Sequence, residues 1–354
     1  MPRHNKLADS SIAPLSIGLL KFSIRPLSQL IVPAVNKGNM LRGGFGHAFR
    51  RLCCVPQCRD ARSCPIVDSC PYKQIFEPSP PSGAERLSKN RDIPRPFISR
   101  PPHSTQTHFE RGESFDFELV LVGRAFEYLP YFVLSFRELA EAGLGLNRAR
   151  CKLDRVVAQT LVCAQTRHST PLYSSEDQLF HSVKPLDSAD WIKSRINQLT
   201  SDNAQLATDH PQLDSGLRSL TSVTLAFLSP THLKSNDQAI REPEFHHIFK
   251  RLRDRLNALS TFFGDGPLDV DFRGLGERSE KIKKVTGHFE WLNRARTSTK
   301  TGQRHELSGF VGEATYEGEL EEFLPWLVMG ELVHLGKHAP WGNGRFIIET
   351  GTFG

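Results

Sequence analysis

At 354 residues, 38% of them hydrophobic, the chain is long enough for two domains that each bury a core, and too apolar to be a disordered polyelectrolyte. Its 45 Lys and Arg exceed its 39 Asp and Glu, giving a formal charge of +6 and a pI near 9.0. That balance points towards a polyanionic partner without fixing one, since ordinary enzymes also carry small basic excesses. No window reaches the roughly 18 apolar residues of a membrane span. The most apolar N-terminal run, IAPLSIGLLKFSI, is cut by Lys21 and followed by Arg25, and no signal-peptide layout precedes it. A cytoplasmic protein with no membrane partner is expected.

The first element, APLSIGLLKFSIRPLS (13–28), alternates as a strand does, and GNMLRGGFGHAFRRLCC (38–54) places Leu41, Phe45, Phe49 and Leu52 at helical spacing. Cysteines follow, five of the seven lying between Cys53 and Cys70, and then seven prolines between Pro78 and Pro102, which read as a surface insertion over about 53–112. Alternation returns in SFDFELVLVG (114–123), a helix fits FEYLPYFVLSFRELAEAG up to Gly143, and ARCKLDRVVA (149–158) reads as a strand. The polar stretch from Gln165 to Ser219 is hard to read beyond one helix suggested by DSADWIKSRINQLTSDNAQL.

A domain boundary near residue 215 splits the chain into 1–215 and 216–354. In the second half LTSVTLAFL is a strand, and EPEFHHIFKRLRDRLNALSTFFG aligns Phe245, Phe249, Leu252, Leu256, Leu259 and Phe263 on one helical face before Gly264. KIKKVTGHFEWLNRARTS and GQRHELSGFVGEATYEG form a hairpin. ELEEFLPWLVMGELVHLG is a helix opening on glutamates, with Leu320, Leu324, Leu327, Glu331 and Leu335 in line, and GRFIIET is the closing strand. This is β-α-β-β-α-β, the ferredoxin-like order, and the first half fits the same template with one strand uncertain. The expectation is an α+β protein of two tandem ferredoxin-like domains, a topology that single-strand RNA readers share.

Three constellations carry the chemistry. Between Lys281 and His305 stand Lys281, Lys283, Lys284, Arg294, Arg296, Lys300 and Arg304 against the single acid Glu290, either a solvated face or a hairpin tracking phosphates. The loop HLGKHAPWGNGRF (334–346) threads Gly336, Gly342 and Gly344 between Lys337, His338, Trp341 and Arg345. It matches no nucleotide-binding fingerprint, yet its glycines could offer N–H groups to phosphate beside Lys337 and Arg345. Cys54 (or Cys53), Cys58, Cys64 and Cys70, spaced by three, five and five residues, lack the usual CxxC knuckle. A structural zinc, an iron–sulfur cluster and plain thiols all remain open readings there.

The combination of LRGGFGHAFRRLCC, CPYKQIFEP, EWLNRARTS with LSGFVGEATYEG, and LPWLVMGELVHLGKHAPWGNGRF resembles the CRISPR-associated endoribonucleases of the repeat-associated mysterious protein (RAMP) superfamily that process precursor crRNA. The resemblance covers about 220–350 well and 40–72 weakly. It implies two ferredoxin-like folds and a metal-independent cut in CRISPR repeat RNA, in which a 2′-OH attacks the adjacent phosphate. Such chemistry needs a base, an acid and cations around the phosphorane. The family's catalytic histidine sits in or beside the first helix, facing the glycine-rich loop, and His47 matches that placement, with His338 or His334 as alternatives. Lys337 and Arg345 would hold phosphate, and Arg294, Arg296, Lys300 and Arg304 would bind RNA with Gly336, Gly342 and Gly344. The implied partners are CRISPR repeat RNA, crRNA and other CRISPR-associated proteins of an effector complex, with no cofactor for catalysis. The rival reading is a non-catalytic crRNA-binding RAMP subunit.

Overall fold

The computed structural model describes residues 15–55, 58, 64, 66–67, 69–79, 93–163, 166–208, 220–297 and 304–349. Strand β1 (Ile17–Pro26) leads into helix α1 (Lys37–Cys53), whose Leu41, Phe45 and Phe49 are fully buried, as their spacing requires. Leu52, expected on the same face, is 41% exposed because the helix runs on past the core it covers. A short helix α2 (Pro71–Phe76) follows, then strand β2 (Phe97–Arg100). The sequence hides β2 among prolines, yet all four of its residues are buried. Strand β3 (Phe115–Val122), helix α3 (Leu129–Ala142) ending at Gly143, and strand β4 (Cys151–Cys163) complete the first template. Strand β5 (Thr166–Ser174), in the stretch that sequence patterning leaves unread, extends the sheet.

The strands of this antiparallel sheet run β2-β3-β1-β4-β5, the ferredoxin-like order with one strand added. Helix α4 (Ser188–Thr208) connects it to the second half, strand β6 (Ser222–Thr231), helix α5 (Phe245–Phe263), helix α6 (Phe272–Ser279) and strand β7 (Lys283–Leu292). The hairpin continues through strands β8 (Ala295–Thr297) and β9 (Arg304–Glu306) into strand β10 (Gly309–Glu317). Helix α7 (Leu324–Val333) and strand β11 (Phe346–Glu349) close the fold. The second sheet runs β7-β10-β6-β11, so both halves are ferredoxin-like. Helix α7 begins later than its sequence suggests, at Leu324 with Pro325 in the first turn, leaving Glu319, Glu321 and Glu322 outside it.

The first sheet is buried on both faces. Leu20, Phe22 and Ile24 of β1 pack under α1 and α3, where Phe45 and Phe136 stack with ring centroids 4.6 Å apart. Ile17 and Leu19, pointing the other way, join Val120, Val122 and Ile98 in a second core shared with α4, α5 and α7. The two domains therefore meet across a continuous apolar interface, and β1 and β3 read as nearly unbroken buried runs. Among the described residues no helix is long and apolar enough to cross a membrane.

Candidate functional site

The glycine-rich loop folds onto the first domain. Gly336, Gly342 and Gly344 adopt φ of 74°, 88° and 73°, a region that favours glycine. A Cβ at Gly344 would lie 1.7 Å from the Leu335 carbonyl oxygen, and one at Gly342 2.7 Å from that of Ser99 in β2. The glycines are thus approached by the protein's own backbone. Two of their N–H groups are also used internally, Gly342 donating to Ala339 and Gly344 to Pro230. In this geometry the phosphate-facing role expected for Gly342 and Gly344 cannot come from those N–H groups.

Buried polar contacts fix the same loop. Arg100 of β2 is 5% exposed, and its Nε donates to His334 Nε2 at 3.1 Å while its other nitrogens reach the Glu331 and Leu332 carbonyls and Glu118. Because arginine is always a donor, His334 Nε2 must accept and Nδ1–H donates to Asn343 O at 3.1 Å, so the ring is neutral. Burial, then the Arg100 charge, holds His334 well below its ordinary value. With no exposed surface, His334 cannot touch RNA. Arg195 of α4 forms a bidentate pair with Glu331 at 2.9 and 3.0 Å, tying that helix to α7.

His338 is half-buried against Trp341, with ring centroids 5.6 Å apart, and burial followed by His232, Lys337 and Arg296 lowers it to about 4. It is neutral at pH 7, so it lacks the proton a general acid must give. Lys337 is exposed beside it. Trp341 lies between two guanidinium groups, Arg42 of α1 at 5.5 Å and Arg296 of β8 at 4.9 Å from the ring centre. Arg296 Nη1 also donates to Asn39 Oδ1 at 3.2 Å, which brings the hairpin onto α1.

Two cavities flank this contact. Between the domains a cavity of about 220 Å³ is lined by Lys37, Arg100, His103, Arg294, Trp341 and Arg345, among others. Lys37 Nζ pins the His103 loop through the Ser104 and Gln106 carbonyls. Burial, then Arg345 and Arg100, lowers His103. Along α1 a wider groove of about 860 Å³ is lined by Asn39, Met40, His47, Arg51, Leu146 and Arg148 with their neighbours. The two cavities adjoin, since both include Val35 and Asn36.

His47 is exposed and opens into the α1 groove. It lies nine residues beyond Gly38, whose helix turn packs on Trp341, so it is about 13 Å along the axis and half a turn round from that contact. The expectation that His47 faces the glycine-rich loop directly is therefore not met; the groove, through Asn39 and Arg296, links them. Arg294 lines the interdomain cavity and Arg304 is exposed on β9, while Lys300 lies outside the described residues. Lys284 of the basic hairpin pairs with Glu244 at 3.0 Å. His103, Lys37 and Asn36 carry no motif, because a histidine in PPHST has no periodicity to single it out.

The Cys58 thiol hydrogen-bonds with Cys64 and Cys54, and burial, then these contacts, pushes it up to about 11. Among the described residues, however, no group of three or more His, Cys, Asp or Glu is arranged to hold a metal ion. Cys54, Cys58 and Cys64 nonetheless lie together, away from the His47 groove.

Residues 225–346 match the family model of the CRISPR-associated endoribonuclease Cas6, and residues 15–185 match that of the AF_1859_N N-terminal domain. The second domain is similar to the Cas6 family. The first of these matches spans 122 residues, about a third of the chain. An uncharacterized protein of Archaeoglobus fulgidus is 29% identical over 316 residues, 88% of this chain and 91% of that one. A chain of a partial Cas6-RT-Cas1–Cas2 complex matches 96% of this chain with a TM-score of 0.56 and 13% identity, this chain spanning 47% of its length. Cas6 of Thermus thermophilus matches 95% of this chain and 100% of its own with a TM-score of 0.50 and 13% identity. At those identities the solved structures establish the shared fold.

Proposed function

We propose that this protein cuts CRISPR repeat RNA in precursor transcripts to give mature crRNA, without a metal ion. The observation that carries the reading is the exposed His47 in a groove that runs into a cation-lined cleft between the domains. Imidazole is the side chain best suited to take or give a proton near neutral pH. In the proposed reaction His47 takes the proton of a ribose 2′-OH as its oxygen bonds to phosphorus. The bond from phosphorus to the 5′-oxygen breaks, that oxygen takes a proton from water, and a cyclic phosphate and a 5′-hydroxyl remain. Arg148, which lines the groove with His47, supplies positive charge for the phosphorane, while Arg296, held at Asn39 on the groove's edge, and Lys337 bind the strand on the cleft side of the scissile phosphate. Arg294, Arg345 and Arg304 carry the flanking backbone, with Lys300 on the same hairpin.

Other CRISPR-associated proteins are proposed partners, in keeping with the Cas6-RT-Cas1–Cas2 complex among the structural matches. The test is incubation of the purified protein with labelled repeat RNA from its own genome in EDTA, beside RNAs carrying single 2′-deoxy nucleotides. A single cut that survives EDTA, is abolished by one deoxy substitution, and falls about 10²- to 10⁴-fold in His47→Ala is expected. Binding without a cut would make the protein a non-catalytic crRNA-binding subunit, and a cut unaffected by His47→Ala would remove that residue from the chemistry.

A further inference from the structure

The α1 groove is more apolar than a phosphate channel needs to be. Its floor is Met40, Leu139 and Leu144, and its two lips are Val35, 52% exposed, and Leu146, 69% exposed. A leucine that open would ordinarily be free to fold away, but this one is held out. Asn147 Oδ1 accepts from the Ile31 N–H at 3.2 Å, Asn147 Nδ2 donates to the Gln29 carbonyl at 2.8 Å, and the Leu146 N–H donates to the Ile31 carbonyl at 2.8 Å. The tight turn packs Gly145, at φ 78°, so closely on the Ile31 carbonyl that no side chain fits there. Leu146 is thus displayed on a braced loop.

The polar lining is one-sided. His47, Arg51, Arg148, Asn36 and Asn39 face the groove, and among the described residues no Asp or Glu lines it. One acid on the neighbouring helix α3, Glu138, is occupied by Arg51 at 2.6 Å. An acidic peptide would find cations but nothing to explain the flat apolar lips. A second copy of the chain, cationic itself, would bring repulsion. A nucleotide brings both an apolar ring face and an anionic phosphate, which matches lips and rim together.

Resting on the reading of the His47 groove as an RNA site, we propose that this groove is a slot for one unpaired nucleobase of the RNA. Leu146 and Val35 clasp the ring, and Arg148 and the α1 asparagines hold the adjoining phosphate. The slot would set which nucleotide lies beside His47, and so contribute to where the strand is cut.

The test measures binding of 2′-fluoro repeat RNA, which cannot undergo transesterification, to the wild-type protein and to Leu146→Ser, with an abasic residue placed at each unpaired position in turn. One abasic position is expected to weaken wild-type binding about tenfold and Leu146→Ser binding by no more than about twofold, since the variant has already lost the apolar contact with the base. Leu146 is exposed, so its replacement leaves the core intact. If no position shows this coupling, the slot is refuted and the groove serves some other partner, such as a protein. Coupling with unmodified RNA left uncut would keep the slot and sink the nuclease reading, cutting without coupling would do the reverse, and no binding of repeat RNA would sink both.

Discussion

Acid should loosen this protein through two histidines of the glycine-rich loop, and the size of the effect can be worked out. His334 is wholly buried and spends Nε2 accepting from Arg100, so a proton there would break that bond and set two positive charges side by side. His338 is lowered to about 4 by burial and its cationic neighbours. In the unfolded chain both return to about 6.5, so below that value the unfolded state binds protons that the folded state refuses. Their stabilisation is complete above about pH 6.5 and is lost as the pH falls towards each folded value. Going from about pH 7.5 to about pH 5.5 costs about 1.4 kcal/mol through His338, and His334 adds in the same direction. His246 and His247, lowered by burial first, add in the same direction. Urea unfolding at the two pH values measures the loss, and His338→Gln should remove about 1.4 kcal/mol of it. A wild-type loss below about 1 kcal/mol, or an undiminished loss in the variant, would refute the assignment of neutral, buried rings.

Gly344→Ala should destabilise by about 2–4 kcal/mol, since the position needs a left-handed φ and a methyl group would press on the Leu335 carbonyl; thermal melting measures it, and a loss within about 0.5 kcal/mol would mean the loop has room. Arg294→Ala and Arg296→Ala should each weaken repeat-RNA binding and reduce the slope of log affinity against log salt by about 1, with an unchanged slope showing that the guanidinium group contacts no phosphate.

Patterning revealed the two domains because the residues that decide them repeat. Phe245 through Phe263 recur every three or four residues on α5, and all six apolar positions read from that helix are buried. Strand β2 escaped notice because Phe97–Arg100 is four residues long and framed by Pro94, Pro96, Pro101 and Pro102, whose loop signal outweighs so short an apolar run. The added strand β5 is built from Thr, Ser, His and Arg, and such polar strands are recognised only once a neighbouring strand is known. For the site, residue type was legible and direction was not. His47 reads as a helix histidine beside an apolar face, but the half-turn separating it from the Trp341 contact appears only when Gly38 is seen to pack there. His103 and Leu146 belong to loops whose shape is set by Lys37 and Asn147, contacts between segments distant in sequence.

The three loop glycines bear on how the two domains form one site. A loop whose purpose was to present amides to phosphate would leave those amides outward, yet here the amides of Gly342 and Gly344 bond to Ala339 and Pro230, and Gly342 closely approaches β2. What the loop delivers is Trp341, set between Arg42 of the first domain and Arg296 of the second. Arg100 works in the opposite sense, reaching from the first domain into the carbonyls that end α7 and into His334, which in turn holds Asn343 of the loop. Each domain thus completes an element of the other, and the groove that carries His47 borrows its nearest hairpin cation, Arg296, across the boundary through Asn39. Neither half alone would hold the cations where an RNA strand crossing from the cleft to the groove would need them. The cost of exposing the shared core on separation keeps the two docked.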